Sequence, residues 1–69
     1  MTISYKKLWK MLIDKDMKKK DLMRVAKLNT SLVAKMGKDL PVNLEVMSRI
    51  CKVLECDIGD VMEMIPDEE

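Results

Sequence analysis

Residues 19 to 38 read KKDLMRVAKLNTSLVAKMGK, two short helical patterns separated by a turn. Leu22, Val25 and Ala26 fall at i, i+3, i+4 spacing, and Leu32, Val33 and Met36 repeat that pattern, so each piece has one apolar face. Lys27-Leu28-Asn29 interrupts the period. Leu28 is the apolar residue expected to plug the corner between the two pieces. Asn29 offers a side-chain oxygen to the free N–H groups at the start of the second piece. On the polar face of that second helix stand Thr30, Ser31 and Lys35, two short hydrogen-bonding groups and a cation, residue types that meet base edges and phosphates.

The spacing of Leu22, Ala26, Leu28, Val33 and Met36 resembles the Cro/CI-type helix-turn-helix family of bacterial and phage regulators. A preceding helix from about Ser4 and two following helices ending near Ile65 are similar to the five-helix layout of that family's minimal domain. The resemblance covers nearly the whole chain. It implies an all-α fold, a five-helix bundle of the lambda-repressor-like type with a central helix-turn-helix. Two positions depart from the family pattern. Lys27 stands where the turn usually carries Gly, so a left-handed backbone is expected there at a cost of about 1 kcal/mol. Met23 sits where the family often has a small residue facing the partner helix.

A chain of 69 residues is one domain, read here as residues 1–69, and it buries only about 60% of its unfolded surface. With 48% apolar and 36% charged residues, two Gly and two Pro, the composition is that of a helical protein and not of a disordered tail. No run approaches the roughly 20 apolar residues of a membrane span. MTISYKKLWK at the N-terminus lacks the apolar core and cleavage site of a signal peptide. A cytoplasmic protein is expected.

The net charge is only +1, but the charges divide along the chain. From Met1 to Lys38 eleven Lys and Arg face three Asp, a surplus of eight positive charges. From Asp39 onward two cations face nine carboxylates, a surplus of seven negative ones. The basic half contains the candidate recognition helix, and that asymmetry points to a polyanion.

The first helix is read from Ser4, its cap, to about Asp14, with Tyr5, Leu8, Trp9 and Leu12 as the inward stripe and Met17 packing beneath the next helix. The second runs from about Lys19 to Lys27, and its N-terminus suits a phosphate. Gly37 is expected to end the recognition helix in the left-handed conformation, with Pro41 preventing continuation. Asn43 caps a fourth helix whose stripe is Leu44, Met47, Ile50, Cys51 and Leu54. Asp57 and Asp60 resemble a capping box that opens a last helix of Ile58, Val61, Met62 and Ile65, before Pro66 and a frayed acidic tail.

Catalysis is not expected. The chain has no His, its Ser and Thr sit at caps or on the recognition face, and a domain this small has difficulty enclosing a substrate pocket. Cys51 and Cys56 supply neither a disulfide framework nor a zinc ligand set and read as free thiols. No metal, cofactor or small-molecule ligand is indicated.

These readings converge on a sequence-specific DNA-binding regulator, and the family resemblance adds transcription, with repression as the mode. The helix around 30–36 enters the major groove. Lys19 and the N-terminus of the second helix clamp phosphate; Asn29, Thr30, Ser31 and Lys35 lie nearest the bases; Lys38 returns to the backbone. One such helix reads few base pairs, so a homodimer on a palindromic operator is expected, with contact through Met62, Met64 and Ile65. The alternative is a protein-interaction module, antitoxin-like or an adaptor, that keeps the scaffold and binds another protein through its acidic, Met-rich half.

Overall fold

The computed structural model describes residues 2–66; the tail expected to fray, residues 67–69, lies outside them. In chain order the elements are β1 (Thr2–Ser4), α1 (Lys6–Asp14), α2 (Lys19–Val25), α3 (Thr30–Gly37), α4 (Leu44–Leu54), a 3-10 turn (Ile58–Asp60) and β2 (Glu63–Ile65). The helices enclose one core of Tyr5, Leu8, Leu12, Leu22, Ala26, Leu28, Met36, Val46, Met47, Ile50, Leu54 and Val61. Each helix is too short to persist alone, so packing of these faces supplies the stability that propensity cannot.

All four helices stop in the same way. Asp16, Lys27, Asp39 and Glu55 have φ of 57°, 56°, 58° and 53°, and each follows a helix. Beyond each, the next N–H turns back to a carbonyl five residues earlier: Met17 to Leu12 at 2.8 Å, Leu28 to Met23 at 2.9 Å, Leu40 to Lys35 at 2.9 Å, and Cys56 to Cys51 at 3.0 Å. This six-to-one bond is the signature of a Schellman ending, which satisfies carbonyls that the helix leaves open. In every case the residue after the left-handed one is apolar or a cysteine; Met17, Leu28 and Cys56 pack in or against the core, while Leu40 is exposed. Lys27 thus has the expected left-handed backbone. Gly37 does not: it is the last residue of α3, no glycine has a positive φ, and Asp39 takes that conformation two residues later. Asp39 is held there because its carboxylate accepts the Tyr5 N–H at 3.3 Å.

Helix starts follow local chemistry closely. The Asn29 side-chain oxygen accepts the Leu32 N–H at 2.8 Å, and that of Asn43 accepts the Val46 N–H at 2.9 Å. Asp57 and Asp60 form the expected capping box, with the Asp57 N–H donating to Asp60 Oδ2 at 3.0 Å. One start is displaced, and one core position is exchanged. Ser4 belongs to β1, and α1 begins at Lys6, although the Ser4 hydroxyl still accepts the Lys6 N–H at 3.3 Å. On α4, Leu44 is 73% exposed and Val46 takes its place in the core. The reason is position: as the first helical residue after the Asn43 cap, Leu44 points away, while Val42 and Met47 occupy the two sites of a hydrophobic staple.

The expected fifth α-helix does not form. Only Ile58–Asp60 coil, as a 3-10 turn, and Glu63–Ile65 run antiparallel to Thr2–Ser4 with Thr2 opposite Ile65, Ile3 opposite Met64 and Ser4 opposite Glu63. Pro66 biases Ile65 towards extended backbone, and a helix ending there would have had two turns at most. Pairing with β1 satisfies the same main-chain groups. The domain is therefore mostly helical, with four α-helices among the described residues and a small two-stranded sheet that joins its ends. Lys7 adds to that junction by donating to the Gly59 carbonyl at 3.2 Å.

Candidate nucleic-acid interface

The unit formed by α2, the turn and α3 is fixed from below. Leu22, Ala26, Leu28 and Met36 are buried, with Met23, Leu32 and Val33 half-buried against them. Leu28 plugs the corner as its spacing predicts. Val25 does not share that face; it is exposed, because α2 ends at Val25 and the chain turns away there. Behind the turn, Arg49 on α4 donates from Nη1 to the Lys27 carbonyl at 3.1 Å. No pattern local to the turn marks that residue.

Above this base stands a polar face. Thr30, Ser31, Ala34 and Lys35 are all exposed; Thr30 with Ala34 and Ser31 with Lys35 are i, i+4 pairs, so the four form one strip along α3. Ala34 escaped the sequence reading, yet a methyl between two hydroxyls and a cation suits the methyl of a thymine. Its i+4 relation to Thr30 was the available signal. Asn29 is exposed but committed, since its side-chain oxygen caps α3; what it can still offer outward is its amide N–H.

Lys19 and Lys38 belong to the other end of α3. The Lys19 ammonium lies 4.4 Å from the centre of the Trp9 ring, and a Cβ built on Gly37 would meet it at 4.0 Å. The aromatic face attracts the cation, and the carbonyl end of α3 beside it is favourable ground for positive charge. Lys38 follows at the cap of that helix. At about 1.5 Å per residue, α3 separates these two lysines from Thr30 and Ser31 by about 10 Å. Lys19, at the start of α2, and Lys38, at the cap of α3, thus lie at the opposite end of α3 from Thr30 and Ser31.

The start of α2 is less open to phosphate than Lys18, Lys19 and Lys20 suggest. Asp21 accepts the Lys18 N–H at 2.9 Å through Oδ2 and lies 3.6 Å from Arg24. Its carboxylate occupies the region where an anion would sit. Even so, residues 19 to 38 carry six Lys and Arg against Asp21 alone, and all six are exposed.

The model of the Cro/C1-type helix-turn-helix DNA-binding domain matches residues 7–67. The chain belongs to that family. It is a DNA-binding domain and not an enzyme. Among solved structures, the chain is similar to transcriptional regulator VanUg in its crystal form II: identity is 47%, the TM-score is 0.92, and the match covers 96% of this chain and 88% of the other. No curated protein matches. Within the Cro/C1-type domain, α2 and α3 are the helix-turn-helix that residues 19 to 38 encode. Among the described residues no helix is long and apolar enough to cross a membrane, and no cluster of three or more His, Cys, Asp or Glu could hold a metal ion.

Proposed function

We propose that this domain is a sequence-specific transcriptional regulator, a repressor, acting in the cytoplasm as one folded unit over residues 1–69. In this reading α3 enters the major groove of a palindromic operator, with Thr30, Ser31 and Lys35 at base edges, the Asn29 amide beside them, and Lys19 and Lys38 on phosphates. The observation that carries it is the exposed strip of Thr30, Ser31, Ala34 and Lys35 on a helix whose opposite side is anchored by Met36. The likeness to transcriptional regulator VanUg supports the regulatory role.

Two copies are needed for useful specificity, because family geometry spaces half-sites about 34 Å apart, one turn of DNA. Met64 and Ile65 are 49% and 41% exposed on β2, and they are the apolar residues offered for that contact. Met62 has a smaller part in it, since it packs against the core of its own chain. Because β2 is a strand, Met64 and Ile65 point to opposite sides of the sheet.

The deciding experiment is a gel shift of the pure protein with the DNA upstream of its own gene, with unrelated DNA as control. A specific, salt-sensitive complex is expected. No complex beyond that with unrelated DNA would favour the adaptor reading, in which the acidic half binds another protein.

A further inference from the structure

The two cysteines owe their proximity to the way α4 ends. With Glu55 left-handed, its N–H bonds the Lys52 carbonyl at 3.3 Å and the Cys56 N–H bonds the Cys51 carbonyl at 3.0 Å. This ending sets the residue after the left-handed one against the residue five positions earlier. At α1 and α2 those positions hold Leu12 with Met17 and Met23 with Leu28, ordinary apolar pairs. At α4 both are thiols.

The main-chain bond also limits their separation. Given standard bond lengths, an N–H to carbonyl bond of this kind cannot hold the two Cα atoms more than about 7 Å apart, the separation beyond which a disulfide could not close without moving the backbone. Both thiols are free and half-buried. Both line the same open surface depression, with Glu55, Asp57 and Asp60 around it, so a small reagent can reach them.

We propose that Cys51 and Cys56 are an oxidisable pair that closes to an intramolecular disulfide when hydrogen peroxide is the oxidant. The Cys51 thiolate attacks one peroxide oxygen; the O–O bond breaks, Cys51 becomes a sulfenic acid, and the departing oxygen leaves as water after protonation. The Cys56 sulfur then gives up its proton and attacks the Cys51 sulfur, expelling hydroxide that is protonated to a second water. Two electrons pass from the thiols to hydrogen peroxide, and the protein loses two hydrogens. Burial, then the neighbouring Cys51, push the Cys56 thiol up, with Asp60 acting in the same sense and Lys15 against it. A thiol held above its ordinary range suits the resolving role. The bond would fasten the end of α4 to the segment leading into β2 and leave the α2–α3 unit unaltered.

The test uses the full reduced chain, treated with hydrogen peroxide, then alkylated under denaturing conditions and weighed intact. The expected product is a monomer lighter by two hydrogens, with alkylatable thiols falling from two to none and restored by dithiothreitol. In Cys56→Ser the reaction should stop at a Cys51 sulfenic acid that dimedone traps. The proposal is overturned if both thiols remain alkylatable under conditions that oxidise free cysteine, if one sulfur merely accumulates oxygen, or if the disulfide joins two chains.

Discussion

Arg49 reaches from the middle of α4 to the turn between α2 and α3 and donates from Nη1 to the carbonyl of Lys27 at 3.1 Å. The residue it holds is the one with φ of 56°. A left-handed Lys is strained by contact of its Cβ with its own carbonyl, and a hydrogen bond from a cation offsets part of that strain. Lys27→Gly removes the Cβ and retains the carbonyl. It should raise the stability by up to about 1 kcal/mol, less the greater freedom of Gly in the unfolded chain. Urea denaturation measures the change, and a lower midpoint at unchanged slope would contradict this account of the turn.

Gly37 allows a second stability test, in a conformation where Gly has no advantage. It ends α3 with ordinary dihedrals, and a Cβ there would touch only the Lys19 ammonium, at 4.0 Å, an ordinary contact. Gly37→Ala should therefore stabilise by about 0.5 kcal/mol, somewhat below the full difference between Ala and Gly because the site is terminal. A loss of stability would mean that Lys19 cannot yield.

The strip on α3 and the lysines at its end should separate by the kind of defect they cause. Thr30→Ala and Ser31→Ala should lower affinity for the preferred site by about 1 to 3 kcal/mol each and leave other DNA unchanged. Lys19→Ala and Lys38→Ala should weaken binding to every duplex and flatten the salt dependence. Lys19→Ala also removes the contact with Trp9, so Lys38→Ala is the cleaner of the two. Titrations against specific and scrambled duplexes at several salt concentrations distinguish the classes. Uniform behaviour of all four variants would remove α3 as the reading helix.

Tyr5 should control stability at alkaline pH. Its hydroxyl is buried and donates to the Leu40 carbonyl at 2.8 Å. Burial pushes the phenol above the ordinary value of 10.0, Asp39 adds to the shift, and the backbone at Val42 opposes it. A raised value means that the contribution to stability is complete below the unfolded pKa and is lost as pH rises through the folded one. Phenolate absorbance, which reports only this tyrosine, should appear later than in free tyrosine and together with the loss of helical circular dichroism. Tyr5→Phe should abolish that link and cost about 1 kcal/mol at neutral pH, since the Leu40 carbonyl loses its donor. Titration at the free value with the helices intact would refute the assignment.

Assembly on DNA supplies the last test. Analytical ultracentrifugation with a palindromic duplex should find two chains per duplex, falling towards one for Met64→Glu and Ile65→Glu, whose side chains are exposed on β2. Met62→Glu should instead lower stability, because Met62 packs on the core. Unchanged assembly in the two exposed-site variants would exclude this strand as the contact.

What the sequence determined by itself was local. The Asn29, Asn43 and Asp57 caps, the buried stripe of Leu22, Ala26, Leu28 and Met36, and the left-handed Lys27 each depend on residues within one or two turns, where spacing and side-chain chemistry leave few alternatives. The exposed polar groups of α3 were legible for the same reason. Tertiary structure alone decided the pairing of Thr2–Ser4 with Glu63–Ile65, the grip of Arg49 on Lys27, and the place of Lys19 between Trp9 and Gly37. Those contacts join residues far apart in the chain. The segment from Ile58 to Ile65 shows the difference: its capping box started a coil, but a strand from the other end of the chain offered its main-chain groups partners that no pattern in residues 58 to 65 could announce.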